Sequence, residues 1–380
     1  MNGSTSASTL HRKPSSPDGS GDDMKQATNH DRQIRNNVLI ATYVLPIAAQ
    51  ASQVRALTGY LRRLGRTIDD VIVVDSSPPE VFEAHARAWS GHVRHVRSGM
   101  RTTNGKVAGV MTGVKAARHE RIILADDDVR YRRTELERML SLLEEHDIAR
   151  PQNVFCPLPW HARWDTARSL FNRLVGGDWP GTLGVRRSAL VEVGGYSGEV
   201  LFENLEMVRT IRAGGGHETV PMDLFVARRP PSFRHFQSQR VRQAYDEWAR
   251  PARFIAQLGL LPLALSLALR GRPRSLLMVA ACGIAAAEIG RRKEMGRTVF
   301  PPTSALWAPA WLAERAVTSW IALGTRILLG GVRYRSGRLK YAATPRHLLD
   351  RKVREARKRH EGANSALHRL DQLAALVVDR

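Results

Sequence analysis

From Asn37 onward, short apolar runs alternate with stretches whose apolar residues recur every three or four positions. The run Asn37–Tyr43 (NVLIATY) predicts a strand, and Ala48 to Leu64 a helix. Asp70–Ser77 (DVIVVDSS) predicts a second strand, Pro79 to Trp89 a helix, and His92–Val96 a short third strand. Gly105 to Arg118 predicts a helix and Arg121 to Ala125 a fourth strand. This alternation argues for an α/β fold, an open and mostly parallel sheet with helices on both faces. Ligands of such sheets bind beyond the carboxyl ends of the strands. After Pro151 the pattern loosens, with Trp160, Trp164 and Trp179 among scattered glycines. Leu201–Gly216 reads as a helix with a glycine stop, Val220–Ala227 as a strand, and Arg234–Pro251 as amphipathic and mostly helical.

Three apolar segments follow. Phe254–Leu269 and Ser275–Gly290 fall short of the ~20 residues that span a bilayer upright. Thr303–Leu329 is longer but carries Glu314, Arg315 and Arg326. The loops between them are all basic, so charge does not fix an orientation. Two short helices span as a hairpin, or the segments lie in the membrane interface, or they form a soluble helical subdomain. Pro345 to Arg380 reads as a charged helix with Leu367, Leu370, Leu373 and Val377 on one face, suited to packing or self-association. Residues 1–35, polar and charged with no apolar centre, read as a disordered leader and not a signal peptide.

Composition sharpens the membrane reading. The 380 residues hold 58 Lys+Arg against 36 Asp+Glu, a net +22. From Pro251 to Arg380 there are 23 basic against 8 acidic residues, so +15 of the excess sits with the longest apolar runs. Basic and apolar together favour a membrane surface over nucleic acid, which is not expected as a partner. Cys156 and Cys282 suggest no disulfide framework and fit a reducing compartment.

Candidate chemistry gathers at predicted strand ends. Asp126-Asp127-Asp128 directly follow the fourth strand. Three adjacent carboxylates do not all stay ionised without help, and a divalent cation such as Mg2+ supplies it. The alternative is a solvated acidic turn. Asp75, at the end of the second strand, accepts from a base or ribose or caps the next helix. Lys106 opens a helix after Gly105, where an anion is favoured; a solvated lysine is the other reading. Glu203 and Glu206 lie one turn apart, and either could be a general base. Gln237, Gln239 and Arg240 form a polar cluster, with the arginine suited to a diphosphate leaving group. His161 and His217 have no metal-ligand spacing.

In order, IATY, VIVVDSS, NGKVAGVMTGVKAA, IILADDDV, GTLGVRRSALVEVGGY, FENLEM and QSQRV resemble a family 2 glycosyltransferase of the GT-A fold. The match runs from about Val38 to Val241, and the apolar C-terminal layout is similar to ceramide glucosyltransferase-like and polysaccharide synthase-like members. The resemblance implies a leader over 1–35, a GT-A domain over 36–250, membrane-associated or transmembrane helices over 251–343 and a charged helix over 344–380. It implies transfer, with inversion, from a nucleotide-diphosphate sugar to a lipid-linked or saccharide acceptor, in cell-envelope polysaccharide or glycolipid synthesis. The place implied is the cell membrane, with the catalytic domain cytoplasmic. Thr42, Asp75, Lys106, Asp127, Gln237 and Arg240 would serve the nucleotide sugar. Asp126 and Asp128 match the Asp-x-Asp that holds Mg2+ or Mn2+. Arg186-Arg187 and Gly194-Gly195 match the segment shaping the sugar pocket. Two positions depart from the family. Asn204 stands where an aspartate is the usual base, leaving Glu203 or Glu206. Val241 stands where Gln-x-x-Arg-Trp ends in tryptophan, which favours transfer of a single sugar over processive synthesis. A nucleotidyltransferase of similar sheet, or a non-catalytic basic membrane or nucleic-acid binding protein, are the rival readings.

Overall fold

The computed structural model describes residues 38–334 and 337–378; in the last helix, side chains are described as far as Gly362 and at Ser365. The leader expected over 1–35 lies outside the described residues. Strand β1 (Leu39–Ile47) leads to α1 (Val54–Thr67), β2 (Ile68–Asp75), α2 (Pro79–Trp89), β3 (Arg94–Arg97), α3 (Gly105–Ala116) and β4 (Arg121–Ala125). β3, β2, β1 and β4 are parallel neighbours. Their residues alternate between two cores. Tyr43, Leu45, Val71 and Val73 meet α1 on one face, while Val44, Ile72 and Val74 meet Val110 and Val114 of α3 on the other. Burial on both faces is why these strands read as unbroken apolar runs.

The sheet is mixed, where the sequence had predicted a mostly parallel one. After β5 (Val129–Arg130), α4 (Arg133–Glu145), β6 (Ile148–Ala149), β7 (Gln152–Phe155) and α5 (Trp160–Leu174), strand β8 (Thr182–Arg186) inserts antiparallel between β4 and β6. Then come α6 (Arg187–Glu192), α7 (Glu203–Ala213), β9 (Glu218–Thr219) and β10 (Phe225–Arg228). The main sheet has the order β3-β2-β1-β4-β8-β6-β9, and β5-β10-β7 form a second, small one.

Two short helices, α8 (Phe233–Ser238) and α9 (Arg240–Tyr245), and a 3-10 turn (Asp246–Ala249) lead into α10 (Pro251–Leu269) and α11 (Pro273–Arg292). These last two are 19 and 20 residues long, longer than the apolar runs, because Pro251 and Pro273 start each helix ahead of its apolar stretch. Both are long and apolar enough to cross a membrane, and only 11% and 17% of their apolar windows are buried. They touch the rest of the protein through Phe254 and Gln257 of α10 and Gly283, Ala287 and Gly290 of α11. None of residues 258–282 is buried. After α12 (Gly296–Val299), α13 (Ala308–Leu328) differs in kind. Its Arg315 is 1% exposed and its Glu314 faces Arg240 at 3.5 Å, so it packs against the domain. A hairpin of β11 (Val332–Tyr334) and β12 (Gly337–Leu339) precedes α14 (Arg346–Val378). Leu349 and Val353 of α14 join the core beside α7. The expected face from Leu367 to Val377 lies outside the described side chains.

Candidate active site

The ends of β1, β2 and β4 open on one edge, since Ile47 is level with Asp75 and Val44 with Leu124. Two adjoining cavities lie there, of ≈ 400 and ≈ 360 Å3. The first is walled by Pro46, Ile47, Ser76, Gly105 and Asp127. The second is walled by Trp179, Phe202, Glu203, Asn204, Phe236 and Asp246. Lys106, Asp126, Arg242 and Tyr334 line both.

The three aspartates sit in the middle. Asp126 is fixed by its backbone N–H donating to Gly181 at 2.8 Å. A Cβ at Gly181 would come within 2.7 Å of the Asp126 Oδ2, so a side chain there would displace that carboxylate. Lys106 Nζ bridges Asp126 (2.6 Å) and Glu203 (2.7 Å). Burial works against its charge, but the two carboxylates outweigh it and hold the ammonium well above its ordinary range. Arg228 Nε meets Asp128 at 2.6 Å, because Arg228 pairs with Val129 across β10 and β5. Burial raises the Asp127 and Asp128 carboxyls, and the neighbouring aspartates push the same way. Asp128 Oδ1 is buried without a hydrogen-bond partner. Crowded carboxylates with an unclaimed inward oxygen fit a divalent cation, and Lys106 and Arg228 supply the positive charge otherwise.

A second group of metal-capable side chains lies inside the sheet. Ligand atoms of Asp75, His85 and His95 fall within 4.8 Å of one another. These ligand atoms already hydrogen-bond one another. Gln53 N–H donates to His85 Nε2, so the His85 proton sits on Nδ1 and goes to Asp75 Oδ2 at 2.7 Å. His95 meets the same oxygen at 3.0 Å, and Ser77 N–H donates to the other. Burial would raise this carboxyl, but these partners outweigh it and hold it well below the usual range.

Several of the residues singled out in the sequence lie off the two cavities or are already paired. Asp75 is fully buried and turned to its histidines, so Ser76 faces the cavity in its place. Thr42 is buried in the first half of β1, where its hydroxyl donates to Asp70 at 2.9 Å, away from the strand ends. Glu206 points into the core and accepts from the Thr344 N–H at 2.9 Å, so it does not line the cavity that Glu203 lines. Gln237 is exposed and lines neither cavity. Arg186 turns to Glu120, the Arg187 guanidinium donates to the Val114 carbonyl, and Gly194-Gly195 abut α14 and Met111. Arg240 does line the second cavity, yet Asp165 (3.1 Å) and Glu314 (3.5 Å) already claim it. His161 is structural, bonded to the Pro231 carbonyl at 2.9 Å.

Sequence reasoning missed Arg228, Arg242, Asp246 and Tyr334. Arg242 stacks on Tyr334 at 4.5 Å, and among the described residues no carboxylate pairs with it. Only the spacing Arg242–Asp246, one helical turn, hinted that both share a wall.

Comparison with known proteins agrees with this layout. Residues 50–188 match the model for glycosyl transferase family 2. The matched segment spans a little over a third of the chain. It contains Lys106 and all three aspartates of the cavity edge. The solved structure of the mannosyltransferase PcManGT from Pyrobaculum calidifontis, in complex with GDP-Man and Mn2+, aligns over 78% of this chain and 95% of its own. Identity is 16% and the TM-score 0.50, a likeness of fold. Mannosyl-3-phosphoglycerate synthase from Rubrobacter xylanophilus (14% identity, 64% of this chain, 78% of that one, TM-score 0.37) and TarS of S. aureus (12%, 53%, 38%, 0.37) overlap too loosely to bear on the site. No curated protein sequence matches the chain.

Proposed function

We propose that the protein is a membrane-associated, metal-dependent glycosyltransferase that moves one sugar from a nucleotide-diphosphate sugar to an acceptor hydroxyl with inversion. The observation that carries this is the pair of adjoining cavities meeting at Lys106 and Asp126, beyond the ends of β1, β2 and β4. The cavity by Ile47, Ser76 and Gly105 suits the nucleotide. The diphosphate then lies at the N-terminus of α3, whose dipole favours an anion. Lys106 and Arg242 add full positive charges to the same place. Arg242 takes the part that the family resemblance gave to Arg240, since it is unpaired and faces both cavities.

Asp126 and Asp128 would hold Mg2+ or Mn2+, with Asp127 beside them. When bound, that ion would offset the charge of the departing diphosphate as a Lewis acid. The rings of Trp179, Phe202 and Phe236 wall the second cavity and offer apolar faces to a sugar ring. With Tyr334 these rings come from four separate segments of the chain, so Val241 does not leave the cavity without an aromatic wall. The acceptor, lipid-linked or saccharide, enters from the side of α10 and α11. Residues 36–250 form the catalytic part and 251–343 the membrane-facing part, with the catalytic part on the cytoplasmic side.

Thermal denaturation against a panel of nucleotide sugars with Mn2+ tests this reading. One donor should raise the midpoint, and chelator should remove the rise. A panel with no stabilising member, or pyrophosphate as the released product, would count against it. Pyrophosphate would point to a nucleotidyltransferase.

A further inference from the structure

Six acidic side chains line the second cavity: Asp126, Asp128, Asp165, Glu203, Asp246 and Glu247. Five are claimed by cations. Lys106 holds Asp126 and Glu203, Arg228 holds Asp128, Arg168 and Arg240 hold Asp165, and Arg250 holds Glu247. Asp246 is different. Its Oδ1 is buried with no hydrogen-bond partner, and among the described residues no salt bridge reaches the carboxyl. The residue follows α9 directly, one turn beyond Arg242 on the same wall.

We propose that Asp246 is the general base for the acceptor hydroxyl, the role left open by Asn204. This rests on the glycosyltransferase reading above. The acceptor O–H proton passes to the Asp246 carboxylate. The acceptor oxygen bonds to the anomeric carbon of the donor. The bond from that carbon to the diphosphate oxygen breaks, and its electron pair leaves on the nucleoside diphosphate, beside Lys106 and Arg242. Base and leaving-group cation thus come from one helical turn.

The electrostatics agree with the geometry. Burial pushes the Asp246 carboxyl up to about 7, against the pull of Arg242 and Arg250, with Glu203 on the facing helix and Glu247 adding to the rise. A base with that affinity removes a proton effectively near neutral pH and is still regenerated.

The test uses the full chain with Mn2+, GDP-mannose or UDP-glucose (whichever stabilises it), and water as acceptor. Donor hydrolysis is followed across pH in wild type, Asp246→Asn and Asp246→Glu, and donor binding is measured separately. Asp246→Asn should lower kcat by about 10²- to 10⁴-fold with donor affinity kept, and Asp246→Glu should recover part of the rate. The wild-type rate should climb with pH through a midpoint near 7. An unchanged kcat in Asp246→Asn overturns the proposal while the glycosyltransferase reading stands. Loss of donor binding in that variant makes Asp246 a structural group and also overturns it. Failure of wild type to bind either donor removes the reading beneath the proposal, and the proposal with it.

Discussion

Arg240 and Arg242 are two residues apart and have opposite fates. Arg240 balances Asp165 and Glu314 in the interior, so Arg240→Ala should cost about 3–5 kcal/mol of stability by leaving buried carboxylates unpaired. Arg242→Ala should leave the denaturation midpoint nearly unchanged and lower turnover by about 10²- to 10³-fold, as loss of a leaving-group contact does. Denaturant titration and steady-state kinetics on the two variants separate the cases. Glu206→Ala should cost about 1–3 kcal/mol by orphaning the Thr344 N–H, with donor binding retained. Asp246 also marks the pH dependence of folding. Its folded carboxyl, near 7, is raised above its unfolded value, so its contribution is present at low pH and fades as pH rises through about 7. Asp246→Asn should flatten that decline in pH-resolved denaturation. The aspartate run and Lys106 were legible in the sequence because each sits at the end of a regular element. Arg228 was not, because it reaches Asp128 through a strand pairing that spans a hundred positions.

The strands before Ala125 could be read because both their faces are buried, which leaves continuous apolar runs, and the boundaries moved by only a few residues. β8 could not be read as an inserted antiparallel strand. It is five residues with a central glycine, and its place is set by fit, since a Cβ at Gly184 would press on Met139 at 2.7 Å. The helix pair α10 and α11 shows the same dependence on close contact. At its root, a Cβ on Gly290 would run into the Leu170 carbonyl of α5. Backbone cannot yield cheaply, so Gly290→Ala should lower the melting temperature by several degrees, whereas Gly259→Ala, with open space around it, should not. Calorimetry on the two variants decides this.

The whole molecule combines a strongly basic surface with an unburied apolar projection. Leu265, Leu269, Leu277 and Met278 are more than half exposed near its tip, between Arg270, Arg272 and Arg274. A soluble core helix would bury such residues, and this pair does so only at the root. Flotation with anionic vesicles should carry the protein up, and Leu269→Ser with Leu277→Ser should weaken that without changing the melting temperature. Added salt should weaken it further, since the basic residues contribute through screened attraction. Sequence length alone had left these helices short of a span; the structure lengthens them and shows them bare. The edge with Lys106 and Asp126 and the helix pair α10 and α11 belong to one compact unit from Leu39 onward. Transfer itself is measured most directly by nucleoside diphosphate release with Mn2+ and the stabilising donor, in wild type and Asp128→Ala. Release should occur in wild type, stop with chelator, and fall to background in the variant. Full release in Asp128→Ala, or release indifferent to chelator, would contradict a metal site on these aspartates.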